Sequence, residues 1–139
     1  MAIWKKTFTL NQLNEMSKNC AIEHLGIEIS AYGENWIEAK MPVDYRTTQP
    51  FGLLHGGVSL ALAETIGSLA GFLSIEEGQV AVGLDINANH LRPVKKGFVT
   101  AKATPIALSQ NIHVWQIDIR DEQDKLCCVS RLTLSIKHL

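Results

Sequence analysis

The stretch GGVSLALAETIGSLAGFLSI, running from Gly56 to Ile75, decides how the rest of the chain must fold. Val58, Leu60, Leu62, Ile66, Leu69, Phe72 and Leu73 fall on every side of a helix, so no polar face remains and the helix must be buried on most sides. Between them Ala61, Ala63, Gly67, Ser68, Ala70 and Gly71 are small enough for another backbone to come close. The length would also suit a membrane span, but Glu64 would then stand near the bilayer centre at a cost of roughly 3 kcal/mol. No membrane association is expected.

On either side of this helix the period changes from 3.6 to 2. Leu25, Ile27 and Ile29, then Ile37, Ala39 and Met41 alternate with polar residues around Tyr32-Gly33-Glu34-Asn35, which reads as a hairpin closed by Pro42. Val43 to Leu54, with Pro50 and Gly52, has neither period and reads as a loop. After Gly78 alternation returns over Val80–Leu91, Phe98–Leu108, Ile112–Arg120 and Leu126–Ile136, separated by short turns. Thr9 to Lys18 places Leu10, Leu13 and Met16 at helical spacing behind Thr9, a plausible N-cap for a short amphipathic helix. Two strands, one apolar helix and four strands make an α+β fold in which a single antiparallel sheet wraps around the long helix. With no repeat or linker, residues 1–139 read as one domain.

Composition narrows the function. Hydrophobic residues at 46% and charged residues at 19% provide for a core and exclude a disordered chain. Thirteen Lys and Arg against fourteen Asp and Glu give a net charge of -1, so no overall field draws the protein to nucleic acid. Cys20, Cys127 and Cys128 are odd in number, and adjacent strand residues face opposite ways, so no disulfide framework is implied. Met1 to Leu10 carries Lys5 and Lys6 without an apolar run behind them, which is not a secretory signal; a cytoplasmic location is expected.

Several kinds of chemistry fall away on spacing. Asp85, Asn87 and Asn89 begin like a calcium loop, but His90 stands at the sixth position and Lys96 at the twelfth. Gly57-Val58-Ser59 lacks the closing glycine of a nucleophile elbow, and no zinc spacing occurs, so neither metal nor cofactor is expected. His24, His113 and His138 are isolated and read as structural or solvated. Glu64 stands out: a carboxylate on an apolar helix is either hydrogen-bonded within the fold or faces a cleft where it can act. His55-Gly56-Gly57 marks the start of the helix. The two glycines there serve either a tight turn or exposed amides suited to a developing oxyanion.

Gln49-Pro50-Phe51-Gly52-Leu53-Leu54-His55-Gly56-Gly57 followed by Ala63-Glu64 resembles the signature of hotdog-fold acyl-CoA thioesterases. Within these, the phenylacetate-degradation and 4-hydroxybenzoyl-CoA thioesterase branch is most similar, especially its 1,4-dihydroxy-2-naphthoyl-CoA hydrolase-like members, with Gly83–Arg92 and Leu126–Leu132 adding to the likeness. The resemblance implies hydrolysis of acyl-CoA thioesters, with an aromatic acyl group favoured. Glu64 matches the carboxylate that attacks the thioester or activates water, and Gly56 the glycine whose amide polarises its oxygen. Gln49 and His55 match positioning residues. Ser68 matches one that holds the carboxylate or water, or else is a small packing residue. For CoA the resemblance implies Gly83, Asn89, His90, Leu91 and Arg92, together with the turn Ala107-Leu108-Ser109-Gln110-Asn111-Ile112; Arg92 suits a phosphate. Lys95 and Lys96 add positive potential or are simply solvated.

Gly56 and Glu64 lie eight positions apart, roughly 12 Å along one helix, and cannot share one carbonyl. The oxyanion donor must come from a second helix, and an antiparallel pair across a twofold axis would supply it. The family's dimer has this arrangement, and its members often pair again into tetramers. Two other readings fit the same resemblance. One is a hotdog dehydratase of 3-hydroxyacyl thioesters using His55 and Glu64, whose spacing does not match the usual motif; the other is a non-catalytic acyl-CoA-binding protein.

Overall fold

The computed structural model describes residues 1–139. Thr9 caps α1 (Leu10–Met16): its hydroxyl accepts from the Gln12 amide at 3.1 Å while Gln12 Oε1 accepts from the Thr9 amide at 3.0 Å. A one-turn helix, α2 (Ala21–His24), then leads into β1 (Glu28–Tyr32). Asn14 ties α1 to that strand, donating from Nδ2 to the Ile29 carbonyl at 3.0 Å and accepting at Oδ1 from the Ile29 amide at 2.8 Å.

β2 (Ile37–Pro42) completes the hairpin with β1. After the long helix α3 (Gly56–Leu73) come β3 (Gln79–His90), β4 (Phe98–Leu108), β5 (Ile112–Arg120) and β6 (Leu126–His138). All six strands form one antiparallel sheet in the order β1-β2-β4-β5-β6-β3. The residues from Leu91 to Gly97 therefore do not close a hairpin. They carry the chain across the end of β6 and β5, and the amides of Leu91 and Arg92 bond the Cys127 carbonyl at 2.7 and 3.2 Å.

Alternation sends Ile37, Ala39, Met41, Val99, Ala101, Trp115, Ile117, Leu132 and Leu134 inward, where α3 meets them with Leu62, Ala63, Ile66, Ala70 and Leu73. Gly67 and Gly71 let the helix settle onto β6: a Cβ on Gly67 would stand 2.7 Å from Leu132 Cδ2, and one on Gly71 would run into Leu134. The helix is buried along this face. Its other face carries exposed Glu64 and Phe72 and half-buried Leu60, Ala61, Ser68 and Leu69, because one sheet reaches only one side. Alongside lies the free edge of β3, where Val82 is 42% and Leu84 59% exposed. A strand edge left unpaired in this way is the surface on which sheets extend.

Candidate active site

The loop before α3 is built rigidly. Arg46 pairs with Asp44 at 2.8 Å, a contact that holds the Asp44 carboxyl below the usual range, and Thr47 Oγ1 donates to the Pro42 carbonyl at 2.8 Å. A bridge between Thr48 and Leu54 closes the tip, with Gly52 at φ +81° making the turn. At that tip the Gln49 side-chain oxygen accepts from the Phe51 amide. This fixes the carboxamide and leaves its NH2 group to donate.

His55 is the N-cap of α3. Its Nδ1 accepts from the amides of Gly57 at 2.9 Å and Val58 at 3.3 Å, and its carbonyl accepts from Ser59 at 3.0 Å. Gly56 is thus left as the first-turn amide with no acceptor in the chain, at the positive end of the helix dipole. It opens into a cleft of about 320 Å³ that it shares with Gln49, Ser59, His90, Leu91 and Arg92. The bare Cα faces the His90 ring: a Cβ there would stand 3.1 Å from His90 Nε2. Asn89 does not reach this cleft, since neighbouring residues of β3 face opposite ways.

Glu64 opens elsewhere. With Ser68 it lines a cleft of about 510 Å³ whose apolar walls are Leu13, Met16, Ile22, Ile29, Ala61 and Leu69. Its carboxylate stands against β3 at Gly83, where the register shifts. Of the two arrangements open to such a carboxylate, the fold shows the cleft: Glu64 is exposed, and no group of the chain donates to it, Ser68 included.

The residues matched to CoA are likewise divided. Leu108, Ser109 and Gln110 border a third cleft, of about 350 Å³, near the C-terminal end of α3, whereas His90, Leu91 and Arg92 border the cleft at its start. Along β6, Leu134 pairs with His113 and Cys128 with His90, so the two groups lie about 20 Å apart at the rise of a strand. The largest hollow, about 710 Å³ on the outer sheet face, is lined by charges including Glu38, Lys40, Lys102 and Asp118 and holds none of these residues.

The thioesterase superfamily pattern matches residues 51–128, from the Gln49 loop through the start of β6. The chain belongs to the thioesterase superfamily. It is 51% identical over 134 residues to the 1,4-dihydroxy-2-naphthoyl-CoA hydrolase of Escherichia coli, covering 96% of this chain and 98% of that one. It is 50% identical over 134 residues, with the same coverage, to the proofreading thioesterase EntH of Cronobacter turicensis. The crystal structure of a Haemophilus influenzae thioesterase superposes with a TM-score of 0.97 at 73% identity, covering 99% of this chain and 96% of that one. The fold is the hotdog thioesterase fold, and the protein is a thioester hydrolase.

For a hotdog thioesterase, two features of the site are new from the structure. Helical spacing located Leu13 and Met16 on an amphipathic helix but could not show that they wall the Glu64 cleft. The second is the contact of His90 with Gly56, made across 34 positions of chain; alternation along β3, which puts His90 on the face of Ala88, was its only trace.

Proposed function

We propose that this thioesterase hydrolyses aromatic acyl-CoA thioesters, such as hydroxynaphthoyl- or benzoyl-CoA, to the free acid and CoA at sites shared between two copies of the chain. The observation that carries the shared site is the separation of Gly56 and Glu64 into different clefts of one molecule. Antiparallel pairing of two β3 edges through a twofold axis supports it. Such pairing covers Val82, Leu84 and the open face of α3, and brings the start of one helix toward the middle of the other. The same axis sets the Gln79 end of one β3 beside the His90 end of the other, so that the Ala107–Ile112 hairpin of one copy approaches Arg92 of its mate.

In that site the Gly56 amide receives the thioester oxygen, and the NH2 of Gln49 orients the carbonyl or the water. Glu64 of the partner subunit, as nucleophile or as base toward water, attacks the carbon. His55 acts through the helix start, which its Nδ1 organises. The acyl group occupies the apolar cleft beside Glu64, large enough for a fused ring. The nucleotide lies outward, where Arg92 has no carboxylate partner in the chain.

A thiol-release assay over benzoyl-, hydroxynaphthoyl-, medium-chain and long-chain acyl-CoA tests this. Aromatic esters should give the highest kcat/KM. Preference for an aliphatic chain would overturn the acyl assignment, and absence of thiol release from every ester would overturn the hydrolysis of acyl-CoA.

A further inference from the structure

We infer that His90 is the group that protonates the departing thiol. The inference rests on the shared site above and concerns the one imidazole in it with no structural duty. His55 Nδ1 is committed to the helix start, whereas His90 is exposed, hydrogen-bonds to nothing in the chain, and presents Nε2 to the bare Cα of Gly56. Oxygen and sulfur of a thioester are bonded to the same carbon. With the oxygen on the Gly56 amide, a donor beside Gly56 is placed to meet the sulfur, and glycine leaves no side chain between them. Gln49 faces the same cleft with its NH2 group free to donate to the carbonyl, so that a second donor for that oxygen beside the Gly56 amide need not be His90.

The step balances without another reactant. Glu64 of the partner subunit takes a proton from water, whose oxygen bonds the carbonyl carbon while the C–O π pair moves onto the oxygen under the Gly56 N–H. When the carbonyl re-forms, the C–S bond breaks with its electron pair going to sulfur, and the Nε2 proton of His90 as imidazolium passes to that sulfur. The thiol and carboxylic acid leave. The proton on the Glu64 carboxyl returns through solvent to the imidazole, and the acid releases its own proton to solvent. If Glu64 is instead the nucleophile, the same sulfur leaves with the His90 proton when the anhydride forms. Water then cleaves the anhydride, its oxygen going to the acyl carbon and the Glu64 carboxylate leaving, and of its two protons one stays on the acid and the other restores the imidazolium. Imidazole is the side chain suited to such a transfer near neutrality.

The test varies the leaving group. Using the acyl group that the wild-type enzyme turns over best, esters of CoA, N-acetylcysteamine and thiophenol are compared for wild type, His90→Ala and His90→Gln, each checked for fold by its melting curve. An alkyl thiolate is a poor enough leaving group to gain from a proton, and an aromatic thiolate is not. His90→Ala should therefore lower kcat about tenfold or more on the CoA and N-acetylcysteamine esters alike, and change the thiophenol ester by less than about threefold. His90→Gln, which keeps an N–H but cannot transfer a proton, should show the same split. Equal losses on all three esters, a loss confined to CoA, or no loss would each overturn the assignment. They would point to the carbonyl oxygen or the fold, to the CoA tail, or to no role. Failure of the wild type on every ester would sink the parent reading as well, so the two failures are distinct.

Discussion

Gly83 and Glu64 meet across the gap between β3 and α3: a Cβ on Gly83 would stand 3.2 Å from Glu64 Oε2, while the backbone there has no positive φ that would itself require glycine. The carboxylate therefore uses the space that the missing side chain leaves. Gly83→Ala should push it aside, lowering kcat about tenfold with little change in KM or melting temperature, because near-attack geometry tolerates little displacement. Steady-state kinetics and a melting curve check this.

Removing the carboxylate should cost more. Glu64→Ala is expected to lower kcat at least about a hundredfold without loss of fold, since Glu64 is exposed and holds no hydrogen bond in the chain. Wild-type turnover by this variant would take Glu64 out of the mechanism.

Arg92 stands at the rim of the Gly56 cleft with no ion pair of its own. Arg92→Ala should raise KM for acyl-CoA more than it lowers kcat, since a phosphate contact remote from the carbonyl contributes to ground state and transition state alike. An N-acetylcysteamine ester, which lacks the nucleotide, should be hydrolysed equally well by both proteins.

His113 is buried, 4% exposed, with Nδ1 unpaired, and burial pushes its pKa below the ordinary value. The unfolded chain then takes up this proton at higher pH than the folded one. The stability that neutral His113 permits is complete above about pH 6.5 and declines as pH falls below it. Melting temperatures from pH 7.5 to 5 should fall less steeply for His113→Asn than for wild type; parallel curves would contradict this.

Much of the fold was legible because two periods carry it. The apolar run from Val58 to Leu73, of which the sheet buries one face and leaves the other open, and the alternation of β2, β4, β5 and β6 made their elements visible, and the limits were readable to within a residue or two. Helix α2, at four residues, is too short to show a period. The placement of β3 at the edge was also hidden, because alternation tells which face a residue takes and not which strand lies beside it. In the site, the helix-start glycines and the lone carboxylate on α3 announce themselves by being costly or unusual where they stand. The reason for Gly83 does not, since it lies in a contact with a carboxylate on another element.

The shared site is tested most directly by mixing two inactive variants. Gln49→Ala damages the half that contains Gly56, and Glu64→Ala the half that contains the carboxylate; denatured together and refolded, they form hybrids in which one site is doubly damaged and the other intact. With random pairing about half the dimers are hybrids and half of their sites are whole, so about a quarter of wild-type activity should return, while each variant refolded alone stays inactive. A mass tag on one variant shows that hybrids have formed. Hybrids with no activity above either parent would contradict the account, and Gln49 and Glu64 would then have to serve one carbonyl from a single chain.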